Sequence, residues 1–309
     1  MTRLVLLHGR DTGGRDPEAL EAVWLEALHR GLATAGSSLR VADGDATFVY
    51  YGDSLAGLVD GPTGPPVTTH GLGRQDDGEL RFVLDVAREV LAAAGAPPEA
   101  GAAVGPDGGT DVRAEGTVTD ALADALARVL AAIDRFVPGL SGAAVLLFAR
   151  DVHRYLVDPR VRAAIDDGVA EALAGDEPAV VVAHSFGSVV AYEVLRSAAA
   201  AGAQVPLLVA LGSPLAIRAV RDALRTAGPL TWPEPVDRWV AVRDPADLLA
   251  LHDLDAVGFP LAGAREVQNL LVDNAAPGHH AAAAVVDGRA VGYLATAAVG
   301  GLIDATIGA

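Results

Sequence analysis

Residues 180–190 have the sequence VVVAHSFGSVV, and the fold prediction starts from this stretch. A run of valines, typical of a buried strand, is followed by Ser185 and then by a helical pattern. Ser185 therefore falls at a sharp turn between a strand and a helix. Ala183 and Gly187 stand two positions before and after it, where bulky side chains would collide with the strand or the helix. The pattern matches a G-x-S-x-G motif with alanine in place of the first glycine.

The chemistry of such a turn favours a nucleophilic role for Ser185. A serine on a strained strand-to-helix turn projects its Oγ beyond the carboxyl end of the strand. The N-terminal N–H groups of the following helix point at the same place and stabilise a developing oxyanion. The simpler alternative is a serine that only caps a helix after a buried strand. We favour the nucleophile because the strand, turn and helix signals occur together.

Outward from this stretch, short apolar runs alternate with helical patterns along the chain. We predict strands at residues 4–7, 46–51, 179–183, 206–211, 238–242 and 267–272, and expect the last of these to be the final strand along the chain. We predict helices at residues 17–35, 161–173, 188–200, 216–227 and 291–303, while residues 143–148 fit either a strand or a helix. This alternation indicates an α/β fold in which a mostly parallel sheet is flanked by helices.

Residues 61–150 interrupt the alternation. Glycine- and proline-rich segments surround two helical patterns, at residues 79–94 and 119–136. Long insertions in compact α/β domains are often lids or binding loops, although flexible linkers are equally common. We interpret residues 61–150 as a lid-like insertion over the sheet, within a single domain that covers residues 1–309.

Composition and charge exclude several classes of protein. The chain has 309 residues, 51% of them hydrophobic, so it can bury a large core without a disulfide or metal. It has no cysteine, which excludes a disulfide framework, a thiolate zinc site, an iron–sulfur cluster and a cysteine nucleophile. With 23 basic against 40 acidic side chains the net charge is -17, which disfavours nucleic acid and anionic membrane surfaces as partners.

Targeting and membrane signals are weak. The apolar run at residues 4–7 is too short for a secretory signal, whose apolar core spans roughly 7–15 residues. No stretch reaches the roughly 20 apolar residues of a membrane span. We therefore expect a soluble, cytoplasmic protein without a transmembrane segment.

Four short runs resemble the α/β-hydrolase superfamily. They are residues 183–187 (AHSFG), 6–9 (LLHG), 212–215 (GSPL) and 151–156 (DVHRYL). The run at 212–215 recurs in lipase and esterase branches, and the one at 151–156 in bacterial esterase-like and inositol-deacylase-like members. The resemblance covers most of the chain outside residues 61–150. It implies a serine hydrolase whose triad follows the chain order Ser, acid, His.

The resemblance also implies an oxyanion hole. In the superfamily the loop after an early strand contributes one backbone N–H, and His8-Gly9-Arg10 matches that position. The N–H groups of Arg10 and Phe186 would then hold the oxyanion. Gly9 lets the backbone approach a substrate closely. We interpret His8 as a structural hydrogen-bonding residue that shapes this loop.

The acid and the base have two candidates each. The strand at residues 238–242 leads into a loop with Asp244 and Asp247, and we favour Asp247 because an apolar pair follows it, as in many relatives. Asp253 and Asp255 are weaker candidates because they lie farther from the strand. After the last predicted strand come His279 and His280. We favour His280 because a small residue follows it, and keep Asp244 and His279 as the alternatives.

The predicted function is that of a serine esterase or lipase-like hydrolase acting through an acyl-enzyme. Its substrate would be a small molecule, a carboxylic ester with a lipid-like or medium-length apolar acyl group. The alternatives are an acyltransferase or thioesterase of the same fold, or a non-catalytic binding protein that retains it. No cofactor and no metal are expected, because adjacent histidines such as His279 and His280, even with Asp273, rarely converge on one ion.

Overall fold

A six-stranded parallel sheet forms the centre of the computed structural model, which describes residues 2–9, 16–42, 44–52, 77–97, 100 and 118–308. The strands are β1 (Arg3–Leu7), β2 (Ala46–Val49), β3 (Ala179–His184), β4 (Val205–Leu211), β5 (Val236–Arg243) and β6 (Gln268–Leu271). Their order is β2-β1-β3-β4-β5-β6, and every neighbouring pair is parallel. The chain therefore places β2 on one side of β1, and later adds β3 on the other side of β1.

Both faces of the sheet are buried. Alternate residues of a strand enter two separate hydrophobic clusters, so Val5 and Val181 lie on one face while Leu6 and Val182 lie on the other. Each of these four side chains is at most 1% exposed. Burial on both faces explains why the strands appear in the sequence as continuous apolar runs, without the alternation typical of half-exposed strands.

Eight helices among the described residues cover the two faces. On the face of Leu6 lie α1 (Pro17–Thr34) and α8 (Ala297–Ile307). On the face of Val5 lie α2 (Asp77–Ala93), α3 (Val118–Phe136), α4 (Gly142–Val157), α5 (Pro159–Leu173), α6 (Phe186–Leu195) and α7 (Arg218–Thr226). The predicted start of α1 is confirmed, since the Asp16 side chain accepts the N–H of Glu18. Within the described ranges, no helix has both the length and the apolar character to cross a bilayer.

Helices α1 and α8 touch backbone to backbone. A Cβ atom added to Gly300 of α8 would lie 2.3 Å from the carbonyl carbon of Gly31 in α1. A Cβ added to Gly31 would lie 2.2 Å from the carbonyl oxygen of Leu294. Real Cβ atoms do not approach this closely, so only glycine permits the contact at these two positions. The first and the last described helices are thereby packed against each other.

The described helices of residues 61–150 pack on one another and on the helices that cover one face of the sheet. Side chains of α2, α3 and α4 belong to the same hydrophobic cluster as Val5 and Val181. Two buried carboxylates of α2 fasten it further: Glu79 pairs with arginines of α4, and Glu89 accepts from His252, 2.8 Å away, in the loop after β5. Residues 53–76 and 101–117 lie outside the described residues, and a lid function for this region stays a prediction.

Two predicted elements are wrong in part, and one alternative that the sequence left open is decided. Residues 143–148 belong to helix α4 and not to a strand. The strand predicted at 267–272 is not the last one, because a hairpin of β7 (Ala284–Val286) and β8 (Arg289–Val291) follows it. The hairpin takes up the start of the helix predicted at 291–303, and α8 begins only after Thr296, whose side chain accepts the N–H of Val299.

Candidate active site

The carboxyl ends of β1 and β3 lie side by side in the sheet. Leu7 pairs in register with Ala183, so the loop at His8 and the turn at Ser185 emerge next to each other. The strand order reverses at this point, because β2 lies on the far side of β1. Open parallel sheets bind ligands at such reversals, beyond the carboxyl ends of the strands. The fold alone therefore places a candidate site around Ser185.

Ser185 has a strained backbone, with φ 53° and ψ −124°. A residue other than glycine in such a region costs about 1–3 kcal/mol and persists only where its surroundings enforce it. The neighbours are correspondingly crowded: a Cβ at Gly187 would lie 2.5 Å from the carbonyl oxygen of His8. A Cβ at Gly9 would lie 2.9 Å from the Cβ of Ser185. The strand, turn and helix predicted from residues 180–190 are thus confirmed as local structure.

Ser185, His280 and Asp247 form one continuous hydrogen-bonded chain. The Oγ of Ser185 lies 2.8 Å from Nε2 of His280, and Nδ1 of His280 lies 2.8 and 2.9 Å from the two carboxylate oxygens of Asp247. A carboxylate only accepts, so Nδ1 carries the ring proton and Nε2 accepts from the serine hydroxyl. The Asp247 side chain is fully buried and the His280 side chain is 23% exposed. These three side chains are the ones that the sequence favoured.

The carboxylate of Asp247 is held by further donors. Tyr293, fully buried, donates its hydroxyl to Oδ2 at 2.6 Å, and the backbone N–H of Leu249 donates to Oδ1 at 2.9 Å. Burial, the largest single effect, raises the pKa of Asp247, but the charge and hydrogen bond of His280 and these two donors outweigh it and lower the pKa. Asp247 is therefore an ionised carboxylate aimed at the imidazole.

The alternative candidates, Asp244 and His279, form a second pair beside the first. Nδ1 of His279 lies 3.3 Å from Oδ2 of Asp244. The carboxylate of Asp244 also accepts the N–H groups of Ala246 and Asn274, at 2.7 and 2.6 Å, so it stabilises the turn through Pro245 and the start of the next loop. The structure places this pair in a turn-building role and does not join it to Ser185.

Of the two predicted oxyanion-hole donors, the structure describes only Phe186. Phe186 is the first residue of α6, so its N–H is among the N-terminal groups of a helix that have no partner within it. Arg10 lies outside the described residues. The two residues before it in the loop, His8 and Gly9, are described, and the backbone of Gly9 lies directly against the side chain of Ser185.

His8 has the structural role that the sequence suggested. Its Nδ1 donates to the carbonyl oxygen of Gly9, and its Nε2 accepts the backbone N–H of Tyr51, 3.0 Å away. The hydroxyl of Tyr51 donates to the carbonyl of His8, and the two rings stack with centroids 4.0 Å apart. Burial lowers the pKa of His8 to about 4, so the ring is neutral near pH 7. His8 and Tyr51 together fix the loop beside the strand-to-helix turn of residues 183–187, which we call the elbow.

The GSPL run at residues 212–215 supports the elbow from the neighbouring strand. Oγ of Ser188 lies 2.6 Å from the carbonyl oxygen of Ser185 and 2.8 Å from Oγ of Ser213. Because a hydroxyl has one proton and a carbonyl only accepts, Ser188 donates to Ser185 and accepts from Ser213. This relay connects the loop after β4 to the strained backbone of the turn.

The DVHRYL run at residues 151–156 lies on α4, beneath the elbow. The buried ring of Tyr155 meets the ring of Phe186 edge to face, with centroids 5.5 Å apart. The hydroxyl of Tyr155 donates to Asp166 at 2.6 Å. Burial and the nearby Asp166 carboxylate raise the pKa of Tyr155 well above its usual range. The run therefore contributes packing below Phe186, and its tyrosine is a neutral hydrogen-bond donor.

Three supporting residues were not predicted from the sequence: Tyr51, Asn274 and Tyr293. Asn274 is fully buried, and its amide bonds the backbone of the loop that carries His280. The only signal for Tyr293 was the Tyr-Leu pair that follows the histidines. Tyr51 and Asn274 stand at strand ends, where sequence patterns do not show which partner a side chain meets.

One cluster of possible metal ligands occurs in the part of the chain that the structure describes. One ligand atom each of Asp244, Asp273 and His279 lies within 4.8 Å of the others. Since the carboxylate of Asp244 already accepts two backbone N–H groups, hydrogen bonds explain its position. His280, part of the metal set weighed from the sequence, is not in this cluster.

No protein-family model matches the chain, and no curated protein matches it either. The established class is therefore an α/β protein with a six-stranded parallel sheet flanked by helices.

Proposed function

We propose that this protein is a serine hydrolase of the α/β-hydrolase type that cleaves a carboxylic ester. The observation that carries the proposal is the unbroken chain from Ser185 through His280 to Asp247, with 2.8 Å at each of its two steps. The three residues follow the chain order Ser, acid, His of that fold, and the serine sits on a strained strand-to-helix turn. The strand order, with the site at its point of reversal, supports the same fold.

Acylation begins with attack by Ser185. His280 Nε2 takes the hydroxyl proton while Oγ bonds to the ester carbonyl carbon, whose π electrons move onto the oxygen. The N–H of Phe186 donates to this oxyanion, joined by the N–H of Arg10 as the resemblance implies. When the tetrahedral intermediate collapses, the ester C–O bond breaks, and His280 returns its proton to the leaving alkoxide.

Deacylation repeats these steps with water. His280 removes a proton from a water molecule, which attacks the acyl carbon, and the proton then passes to the departing Oγ of Ser185. Asp247 holds the imidazole in the tautomer that accepts at Nε2, and its negative charge stabilises the imidazolium formed in each half-reaction. An apolar acyl chain is the substrate class we propose, in keeping with the net charge of -17, which disfavours polyanionic substrates.

The test uses purified protein, a fluorophosphonate probe and p-nitrophenyl esters of increasing chain length. We expect the wild type to be labelled and to turn over esters, and Ser185→Ala to lose both activities. Ser197→Ala, which removes a remote hydroxyl that caps a short turn, is the matched control and should behave as the wild type. Labelling or turnover retained in Ser185→Ala refutes the assignment. A competing alcohol or thiol in the assay identifies acyl transfer if an acylated product accumulates.

A further inference from the structure

Three consecutive backbone carbonyls around the proposed base each accept a hydrogen bond from a buried side chain. The amide nitrogen of Asn274 lies 3.0 Å from the carbonyl oxygen of His279 and 3.0 Å from that of Ala281. Nε2 of His184 lies 2.6 Å from the carbonyl oxygen of His280. We call these three contacts the carbonyl clamp. They come from two different segments, one before Ser185 and one after β6, and converge on a single tripeptide.

The orientation of the Asn274 amide follows from its partners. Carbonyl oxygens only accept, so the NH2 group must face His279 and Ala281. The amide oxygen on the other side accepts the backbone N–H of Ala276 at 3.0 Å. Asn274 is fully buried, and its own N–H donates to Asp244, so its backbone N–H and both ends of its side-chain amide have partners.

His184 is a neutral donor. It is 8% exposed, and burial is the largest effect that lowers its pKa to about 3, followed by the nearby His280. A neutral ring carries one proton, and the contact with a carbonyl requires that proton on Nε2. Its ring also packs beside the ring of His280, with centroids 4.8 Å apart. The side chain of His184, the residue before the proposed nucleophile, therefore contacts both the ring and the backbone carbonyl of His280, the proposed base.

The backbone before His280 has an unusual conformation, which the clamp helps to hold. Gly278 has φ 73°, and His279, which is not glycine, has φ 58°. Left-handed φ values are uncommon for residues other than glycine. Pro277–His279 form a single 3-10 turn, and the next strand along the chain, β7, begins only at Ala284. Regular secondary structure does not hold this tripeptide. Two backbone hydrogen bonds, from the N–H of His279 to Ala276 and from the N–H of Tyr293 to Ala281, fix its ends, and the clamp adds a side-chain contact at each of its carbonyls.

We propose that Asn274 and His184 are positioning residues for the base, and that they keep Nε2 of His280 within reach of Ser185. The inference rests on the proposed function and deepens it. Neither side chain touches the reacting atoms. Their effect acts through the backbone of residues 279–281, and a displacement of about 1 Å in a reacting group costs about 10²-fold in rate.

The first test compares Asn274→Ala with Asn269→Ala. Asn269, in β6, is a matched control because its amide also bonds two carbonyls, those of Leu254 and Val267, and accepts one N–H, but neither partner belongs to the loop that carries the base. We expect both variants to unfold at lower temperature. Only Asn274→Ala should lower kcat, by about 10²-fold with KM unchanged. An equal kcat in the two variants, or a change confined to KM, overturns the proposal.

The second test uses two substitutions of His184. Glutamine places an amide N–H near the position of Nε2, whereas leucine removes the donor. We expect His184→Gln to keep most of the kcat and His184→Leu to lose about tenfold, the effect of one hydrogen bond. If both lose activity equally, ring packing and not the hydrogen bond explains His184, and the proposal fails for that residue.

Amide hydrogen exchange separates this inference from the proposed function. We expect residues 275–283 to exchange faster in Asn274→Ala than in the wild type, and at the wild-type rate in Asn269→Ala. Unchanged exchange in Asn274→Ala overturns the clamp even if the esterase activity is real. If the wild type neither reacts with the probe nor cleaves esters, the proposed function fails, while the exchange result still decides whether Asn274 holds the loop.

Discussion

Two acid–histidine pairs lie side by side at the carboxyl edge of the sheet, built from the same two loops. In one, His280 contacts a fully buried Asp247 at 2.8 Å. In the other, His279 contacts Asp244 at 3.3 Å, and its side chain is 47% exposed. Only His280 is also joined to Ser185. The residue types are identical, so the difference lies in burial and in what the second ring nitrogen reaches.

This comparison shows what makes an aspartate–histidine pair useful for proton transfer. In a buried pair the carboxylate interacts strongly with the imidazolium, because little water screens the charges. An exposed pair is screened and contributes little. The left-handed backbone at His279 turns consecutive histidines in different directions, so that one faces the elbow and its neighbour faces the turn at Asp244.

The largest contrast is expected between the two histidines. His280→Ala removes the proposed base and should lower kcat for a p-nitrophenyl ester by about 10⁴–10⁶-fold. His279→Ala should keep kcat close to the wild type, because its ring lies outside the chain from Ser185 to Asp247. Steady-state kinetics on both variants checks this, and a greater loss in His279→Ala would reverse the assignment.

The two aspartates should differ next. Asp247→Asn removes the charge that orients and stabilises the imidazole, with an expected loss of about 10⁴-fold in kcat. Asp244→Asn disturbs a turn, so we expect a loss of stability of about 1–3 kcal/mol from unsatisfied backbone partners and a much smaller change in kcat. Urea unfolding and kinetics on the same preparations distinguish the two effects. Equal losses of kcat would show that both carboxylates serve the base.

Tyr293 connects the two pairs and gives a smaller, shared effect. Its hydroxyl donates to Asp247 and accepts the backbone N–H of Asp244, 2.9 Å away. Tyr293→Phe keeps the ring but removes both bonds, so kcat should fall about tenfold. Tyr192→Phe is the control, because its hydroxyl bonds the backbone of Thr231 and makes no contact with Asp247 or Asp244 among those described. A similar loss in the control would point to general loosening of the core.

The smallest effect concerns stability at acid pH. The pKa of Asp247 is lowered in the folded protein, so its ionised form contributes stability above its ordinary pKa of 3.8. That contribution is lost as the pH falls below 3.8 and through the lowered folded-state pKa. We expect the difference in unfolding free energy between wild type and Asp247→Asn to narrow over that range. A difference that widens on acidification would mean that Asp247 is protonated in the fold.

Much of the sheet and part of the site could be predicted from the sequence. Buried parallel strands such as β3 are continuous apolar runs, and small residues around Ser185 identify the turn, because both signals are local. The information that decides between His279 and His280, in contrast, is not contained in the local sequence. It depends on the left-handed backbone at Gly278 and His279 and on contacts from Asn274, which pattern and spacing do not reveal.

The misjudged helix at residues 291–303 has the same kind of cause. Its apolar residues suit a helix, but Gly292, with φ 115°, and the cap at Thr296 divide the segment into a hairpin end and a shorter helix. The turn chemistry there outweighs helical periodicity. Tyr293 lies in that divided segment, which is why its place beneath Asp247 was not foreseen.

The glycine contact between α1 and α8 has a consequence for how the protein folds. Gly31 and Gly300 are separated by most of the chain, and their helices cover the face of the sheet on which Leu6 lies. Contacts between such distant residues form slowly, because a long loop must first lose its freedom. We expect intermediates in which the elbow at Ser185 exists before that face is sealed. A substitution that adds a side chain at Gly300 would leave that apolar face exposed for longer during folding. We expect aggregation during refolding to be the first measurable effect of the substitution.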